Sequence, residues 1–124
     1  MTHRVVVIGA GFAGLQVVLG LRGAGCQITL VDQRNHHLFQ PLLYQVATTL
    51  LATSDIAWPI RALLRERKDV TTLLATVEGV DRAAREVILR GGARLPYDTL
   101  VIATGARHAY FGKDAWEADA PGLK

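Results

Sequence analysis

Gly9-Ala10-Gly11-Phe12-Ala13-Gly14 is a G-x-G-x-x-G run, and its flanks constrain the fold more tightly than the glycines do. Before it, Val5 to Ile8 is a short unbroken apolar stretch rich in β-branched residues, the composition of a strand buried on both faces of a parallel sheet. After it, Phe12 to about Arg22 is apolar nearly all round through Leu15, Val17, Val18, Leu19 and Leu21, which predicts a buried helix. Gly23 and Gly25 offer a left-handed stop, and Gln27 to Val31 predicts a second strand. Together these make one β-α-β unit with a right-handed crossover. In that setting the three glycines have separate uses. Gly9 permits the tight turn, Gly11 lets a pyrophosphate approach the backbone, and Gly14 allows close helix-strand packing. The helix N-terminus adds free N–H groups and a partial positive charge for an anion.

Asp32 ends the second strand, eighteen residues after Gly14. A carboxylate there can accept hydrogen bonds from both hydroxyls of an adenosine ribose, and it repels a 2′-phosphate. An adenine dinucleotide without that phosphate is therefore expected, with Arg34 as the one nearby residue that would favour it. The glycine loop does not by itself separate FAD from NAD. The plainer reading, in which the glycines serve only a turn and Asp32 only ends a strand, has to explain why strand, loop, helix and acid coincide at the spacing a dinucleotide requires.

Half of the 124 residues are hydrophobic and a fifth are charged, the make-up of one globular domain with an ordinary core. The net charge of +3 and the cluster Arg61, Arg65, Arg67 and Lys68 invite a nucleic-acid reading. At helical spacing such a cluster is a solvated face, and no interleaved aromatics offer bases a stacking platform, so no nucleic-acid partner is expected. Attraction to anionic lipid is the better, still weak, use of that face. No apolar stretch approaches the ~18 residues of a membrane span, and the early glycines argue against reading the N-terminus as a secretory signal. A single cysteine, Cys26, excludes an internal disulfide and a redox-active dithiol; a small core residue is expected there.

Farther along, Pro41 suits a loop or helix start and Leu42 to Leu51 predicts a helix. Asp55 can cap a further helix running to about Arg67, with Pro59 within its first turn. Val70 to Val77 predicts a strand. Glu86 to Arg90 and Ala93 to Leu95, joined by Gly91-Gly92, predict a hairpin with a two-residue turn. Thr99 to Ala103 predicts another buried strand, ending at Thr104-Gly105. The expected fold is α/β: a Rossmann-like, three-layer dinucleotide-binding fold with a parallel sheet and a small β-hairpin or meander laid over it.

Tyr97-Asp98-Thr99-Leu100-Val101-Ile102-Ala103-Thr104-Gly105 resembles the second signature of the two-dinucleotide-fold flavoproteins, in which an N-terminal β-α-β unit holds FAD. That resemblance favours FAD over NAD as the cofactor here. A narrower likeness is carried by Asn35-His36-His37-Leu38-Phe39-Gln40-Pro41-Leu42-Leu43-Tyr44-Gln45-Val46-Ala47, then by Asp55 to Arg61, Tyr110-Phe111-Gly112 and Ala120-Pro121-Gly122-Leu123-Lys124. These resemble type II NADH dehydrogenases, the non-proton-pumping enzymes that pass electrons from NADH through FAD to quinone. The likeness covers essentially the whole chain, and the Leu38 to Ala47 run is its most specific part. It departs from the usual pattern at Val18, His36, Thr49 and Thr99; at Thr49 a glycine often stands. None of these removes a group needed for chemistry.

The resemblance implies that Gln40, Pro41 and Leu42 lie near the ribityl chain and flavin ring, and that Val77 lends backbone groups to the adenine. The candidate cofactor-binding residues are thus Gly9, Gly11, Phe12, Ala13, Gly14, Asp32, Gln33, Arg34, Gln40, Pro41, Leu42, Val77, Ala103, Thr104 and Gly105. No catalytic side chain is expected, because the flavin carries the chemistry. No metal site is expected either: His36-His37 has no third ligand at sensible spacing, and a packed or hydrogen-bonded loop histidine fits better.

Full-length relatives of this kind add a nicotinamide-binding domain, a segment that completes the flavin site and a C-terminal membrane anchor. Residues 1–124 would then be the N-terminal part of the FAD-binding domain, an incomplete domain inactive by itself. Its parent would take NADH and quinone as partners, with peripheral membrane contact at the cytoplasmic face of the inner membrane. Apolar surface left uncovered makes self-association an expectation. Two other readings stay open: a sulfide:quinone or ferredoxin-type reductase of the same fold, and a non-catalytic NAD- or FAD-binding redox sensor.

Overall fold

The computed structural model describes residues 1–122; Leu123 and Lys124, the end of the last family-like segment, lie outside the described residues. The β-α-β unit forms as its sequence dictates. Strand β1 (His3–Ile8), helix α1 (Phe12–Gly20) and strand β2 (Cys26–Asp32) are followed, after an excursion, by β5 (Val70–Leu74) and β9 (Thr99–Ile102). These strands make a four-stranded parallel sheet in the order β5-β2-β1-β9, with Val5 opposite both Ile28 and Thr99. Helix α1 ends at Gly20, short of the expected Arg22, with Leu21 as a cap at φ −82°. Gly23 (φ +77°) and Gly25 (φ +70°) are left-handed, but they shape the turn into β2 and do not stop the helix.

Strand β1 shows why its run has no polar alternation. Val5 and Val7 pack toward α1 with Val18, Ile28, Leu30, Ile60 and Leu64. Val6 and Ile8 pack on the opposite face with Val31, Val87, Leu89 and Tyr97. That second face is covered by a three-stranded antiparallel meander, β6 (Val77–Asp81), β7 (Glu86–Leu89) and β8 (Arg94–Pro96). The three layers are therefore helix, parallel sheet and meander. Gly91 and Gly92 both take positive φ in the β7-β8 turn. Leu89 N–H donates to the Ala93 carbonyl at 2.9 Å, so the loop holds Arg90 as well as the glycine pair.

Between β2 and β5 the chain departs from the sequence expectation. Instead of one helix from Asp55 to Arg67 there is a 3-10 turn over Thr53–Asp55, a strand β4 (Ala57–Pro59) and a single helical turn α3 (Ile60–Leu63). Strand β4 pairs antiparallel with β3 (His36–Leu38), His37 facing Trp58. Asp55 still caps, accepting from the Ala52 N–H at 2.8 Å, and Pro59 still precedes a helix, but the two signals serve different elements. The predicted helix from Leu42 to Leu51 is shorter, a 3-10 turn over Gln40–Leu42 followed by α2 (Leu43–Ala47). The predicted strand from Val70 to Val77 stops at Leu74 and Val77 opens β6.

Arg67 also corrects the reading of the basic cluster. It is buried, donating to the Val18 carbonyl at 3.0 Å and, through Nε and Nη2, to both carboxylate oxygens of Asp69. It ties α1 to the start of β5 and is not part of a solvated face.

Candidate functional site: the glycine loop and its surroundings

The loop from Gly9 to Gly14 sits at the C-terminal edge of the sheet. Gly9 takes φ +102°, and its N–H donates to the Val31 carbonyl at 2.8 Å. A Cβ on Gly9 would run into the Ala103 carbonyl. The glycine is therefore needed twice over, for its dihedral and because the Ala103-Thr104 peptide is packed against it. This contact brings the Ala103-Thr104-Gly105 segment to the loop, with Ala103 N–H donating to the Ile8 carbonyl at 2.8 Å and Gly105 at φ +71°. A Cβ on Gly14 would strike the Gly9 carbonyl, so Gly14 serves packing of the helix against the turn itself.

Gly11 is different: nothing lies within 4 Å of where its Cβ would be. It is the N-cap of α1, in extended backbone and with no side chain to cap the helix. The first N–H groups of an α-helix have no intrahelical acceptors, and Gly11, Phe12 and Ala13 are exposed. The loop thus presents open space beside uncapped donors, the arrangement that an anion fits.

Asp32 faces this loop. One of its oxygens accepts from the Ala10 N–H and the other from the Arg34 N–H, both at 2.7 Å. A carboxylate oxygen has two acceptor directions, so one on each remains for a ribose. Beside Asp32 lies a cavity of about 230 Å³ with largely apolar walls, among them Leu30, Ile60 and Leu74, and with Arg34 and Arg61 also lining it. Gln33, between Asp32 and Arg34, is exposed.

The Leu38 to Ala47 segment reaches the loop through aromatic contacts. Phe12 meets His37 edge-on at 5.5 Å between ring centroids and Phe39 at 5.6 Å. His37 is buried, and its Nδ1 lies 2.8 Å from the Ala10 carbonyl. Gln40, Pro41 and Leu42 follow directly as a 3-10 turn. His36 lies 3.3 Å from the Asn35 side chain instead; the two histidines do not converge. In α2, Gln45 Oε1 is buried without a hydrogen-bond partner among the described residues, an acceptor that a ligand N–H or O–H would satisfy.

The fold therefore gathers Gly9, Gly11, Phe12, Ala13, Gly14, Asp32, Arg34, Ala103, Thr104 and Gly105 at one sheet edge, with Gln40 to Leu42 carried in by β3. Val77 stands apart: it follows Ala75, whose N–H donates to the Asp32 carbonyl at 3.0 Å, but its side chain packs in the core under the meander. His37 is the residue that sequence reasoning did not place at the loop. No spacing rule marks it, since its place there depends on a contact with Ala10, twenty-seven residues away. Cys26 is buried at the start of β2, opposite His3, at the end of the sheet away from the loop.

A model of the family described as "Pyridine nucleotide-disulphide oxidoreductase" matches residues 3–122. A type II NADH:quinone oxidoreductase of Mycobacterium tuberculosis is 46% identical over 125 residues, which is 98% of this chain and 27% of that protein. The sulfide:quinone oxidoreductase of Aquifex aeolicus superposes with a TM-score of 0.82 at 31% identity, over 88% of this chain and 26% of that one. NDH2 of Plasmodium falciparum, solved in complex with NADH, superposes with a TM-score of 0.80 at 25% identity, over 90% and 24%. The chain spans about a quarter of the length of these proteins.

Proposed function

The chain belongs to the pyridine nucleotide-disulphide oxidoreductase family, and from that premise we propose that it is the N-terminal part of the FAD-binding domain of a type II NADH:quinone oxidoreductase. The observation that carries this reading is the 46% identity to the Mycobacterium tuberculosis enzyme over nearly the whole chain. Residues 1–124 hold a single cysteine, so this part of the protein contains no redox dithiol of its own.

In this reading the uncapped N–H groups at Gly11, Phe12 and Ala13 hold the FAD diphosphate. Asp32 accepts from the ribose hydroxyls through its free acceptor directions. Arg34 and Gln33 would flank the adenosine, and Val77 would lend backbone groups to the adenine. Gln40, Pro41 and Leu42 would lie near the ribityl chain and ring and exclude water, and Ala103, Thr104 and Gly105 would help to hold the cofactor where the strand ends. FAD, when bound, supplies the two-electron chemistry between NADH and quinone; the protein supplies position and electrostatics. Membrane contact, the cytoplasmic face of the inner membrane and the nicotinamide site belong to the parent. Among the described residues no helix is long and apolar enough to cross a membrane.

The test is a visible spectrum of the chain mixed with FAD, before and after dithionite, beside a steady-state assay with NADH and a soluble quinone. Protein-perturbed flavin bands that bleach, without turnover by this chain alone, are expected. Bound NAD without flavin would overturn the reading in favour of a nucleotide sensor. The sulfide:quinone alternative has the Aquifex aeolicus superposition behind it, and sulfide-dependent quinone reduction by the parent would select it.

A further inference from the structure

Two successive peptide units of the glycine loop are each held by one side chain from elsewhere. The Gly9-Ala10 unit is held by Asp32, which accepts from the Ala10 N–H. The Ala10-Gly11 unit is held by His37, twenty-seven residues away, at the Ala10 carbonyl. A carbonyl only accepts, so His37 Nδ1 carries the proton and donates.

A peptide unit is planar and trans, so its C=O and N–H point in opposite directions. Asp32 draws the Ala10 N–H to itself and thereby turns the Gly9 carbonyl toward Gly14, the position where a Cβ has no room. By the same geometry, His37 draws the Ala10 carbonyl inward and turns the Gly11 N–H outward. Among the described residues that N–H has no acceptor, and Gly11 is exposed, with nothing within 4 Å of a Cβ built on it. The His37 ring is itself fixed, buried at 6% exposure, edge-on to Phe12 and on a strand paired with β4.

We propose that His37 is a positioning residue for the anion site: its Nδ1–H holds the Ala10 carbonyl so that the Gly11 N–H is presented, preformed, to a dinucleotide diphosphate. This rests on the dinucleotide reading of the loop, and it assigns to His37 a role outside the cofactor's own contacts. Preformed donors bind more tightly because less ordering accompanies binding.

The test compares the chain with His37→Phe, which keeps a ring against Phe12 and removes the donor, and His37→Asn, which loses the ring but carries an N–H near the Nδ1 position. Two readouts are taken: the backbone dynamics of Gly11 by 15N heteronuclear NOE without ligand, and FAD affinity by flavin fluorescence. In His37→Phe, Gly11 should become mobile and FAD affinity should fall roughly tenfold, the size of one lost hydrogen bond. In His37→Asn both should return most of the way to the parent values. Equal loss in both variants, or a Gly11 signal unchanged in His37→Phe, would overturn the proposal and leave His37 as packing alone. Should His37→Phe fail to fold, His37→Leu is read by the same criteria. If no form binds FAD, this part of the domain does not hold the flavin by itself, and the Gly11 dynamics still decide the role of His37.

Discussion

Thr49 follows α2 in the left-handed region at φ +62°. Its N–H donates to the Val46 carbonyl and the Leu50 N–H to the Gln45 carbonyl, at 3.0 and 2.8 Å, the paired bonds of a Schellman helix end whose left-handed residue is ordinarily glycine. A β-branched side chain there is strained. Thr49→Gly should therefore stabilise the chain by about 1 kcal/mol, read as a higher urea midpoint at unchanged slope. The loop glycines divide in the same physical terms. Gly9→Ala and Gly14→Ala force a Cβ into backbone carbonyls that cannot swing aside, and each should cost about 3 kcal/mol. Gly11→Ala meets nothing within 4 Å at φ −73°, so its melting should change by no more than ~1 kcal/mol. Its FAD affinity should nevertheless drop, because the methyl group occupies the ligand's approach. Melting curves and FAD titrations of the three variants separate the two classes.

Among the elements, those defined locally were readable and those defined by distant partners were not. The strand, glycine loop, helix and second strand follow from runs, periodicity and turn residues lying within thirty positions of one another. Strand β4 follows from its pairing with β3, about twenty residues upstream, which no local pattern announces. Asp55 and Pro59 carried genuine start signals, one for a 3-10 turn and one for α3, and read together they suggested a helix that does not exist. Arg67 looked solvated because charge at helical spacing usually is; its burial depends on Asp69 and on a carbonyl of α1. The site divides likewise. In the candidate site, spacing points to the glycines and Asp32, family likeness alone to Gln40, Pro41, Leu42 and Val77, and only the fold to His37.

The junction of β1 with the residue before β9 should contribute to the chain's acid sensitivity. Arg4 binds Asp98 through its guanidinium and its backbone N–H, and these bonds hold the Asp98 carboxyl well below the usual carboxylate range. Asp69 and Asp81 are lowered in the same direction by Arg67 and by the Ala84 N–H. A carboxyl whose folded pKa lies below its unfolded value stabilises the fold above that unfolded value, near 3.8, and loses this contribution as pH falls toward the folded one. Urea midpoints should be flat from about pH 5 to 7 and fall below about pH 4. Asp98→Asn should lower the neutral-pH midpoint and shallow the acid slope; an unchanged slope would mean that the pair contributes nothing.

At the scale of the whole molecule, one edge of the parallel sheet is β9, with Ile102 67% exposed, and Leu74 at the other edge, Leu50 and Phe111 are also open to solvent. Such surface favours association, so light scattering should show a mass that rises with concentration. The measurement that bears most directly on the proposed function is an equilibrium FAD titration of this chain beside Gly11→Ala, with NAD as competitor and circular dichroism as the control for folding. Saturable FAD binding that NAD does not displace at comparable concentration, and that Gly11→Ala weakens without loss of fold, is the expected result. FAD binding that Gly11→Ala leaves untouched, or NAD bound in its place, would contradict the assignment of this loop to a flavin.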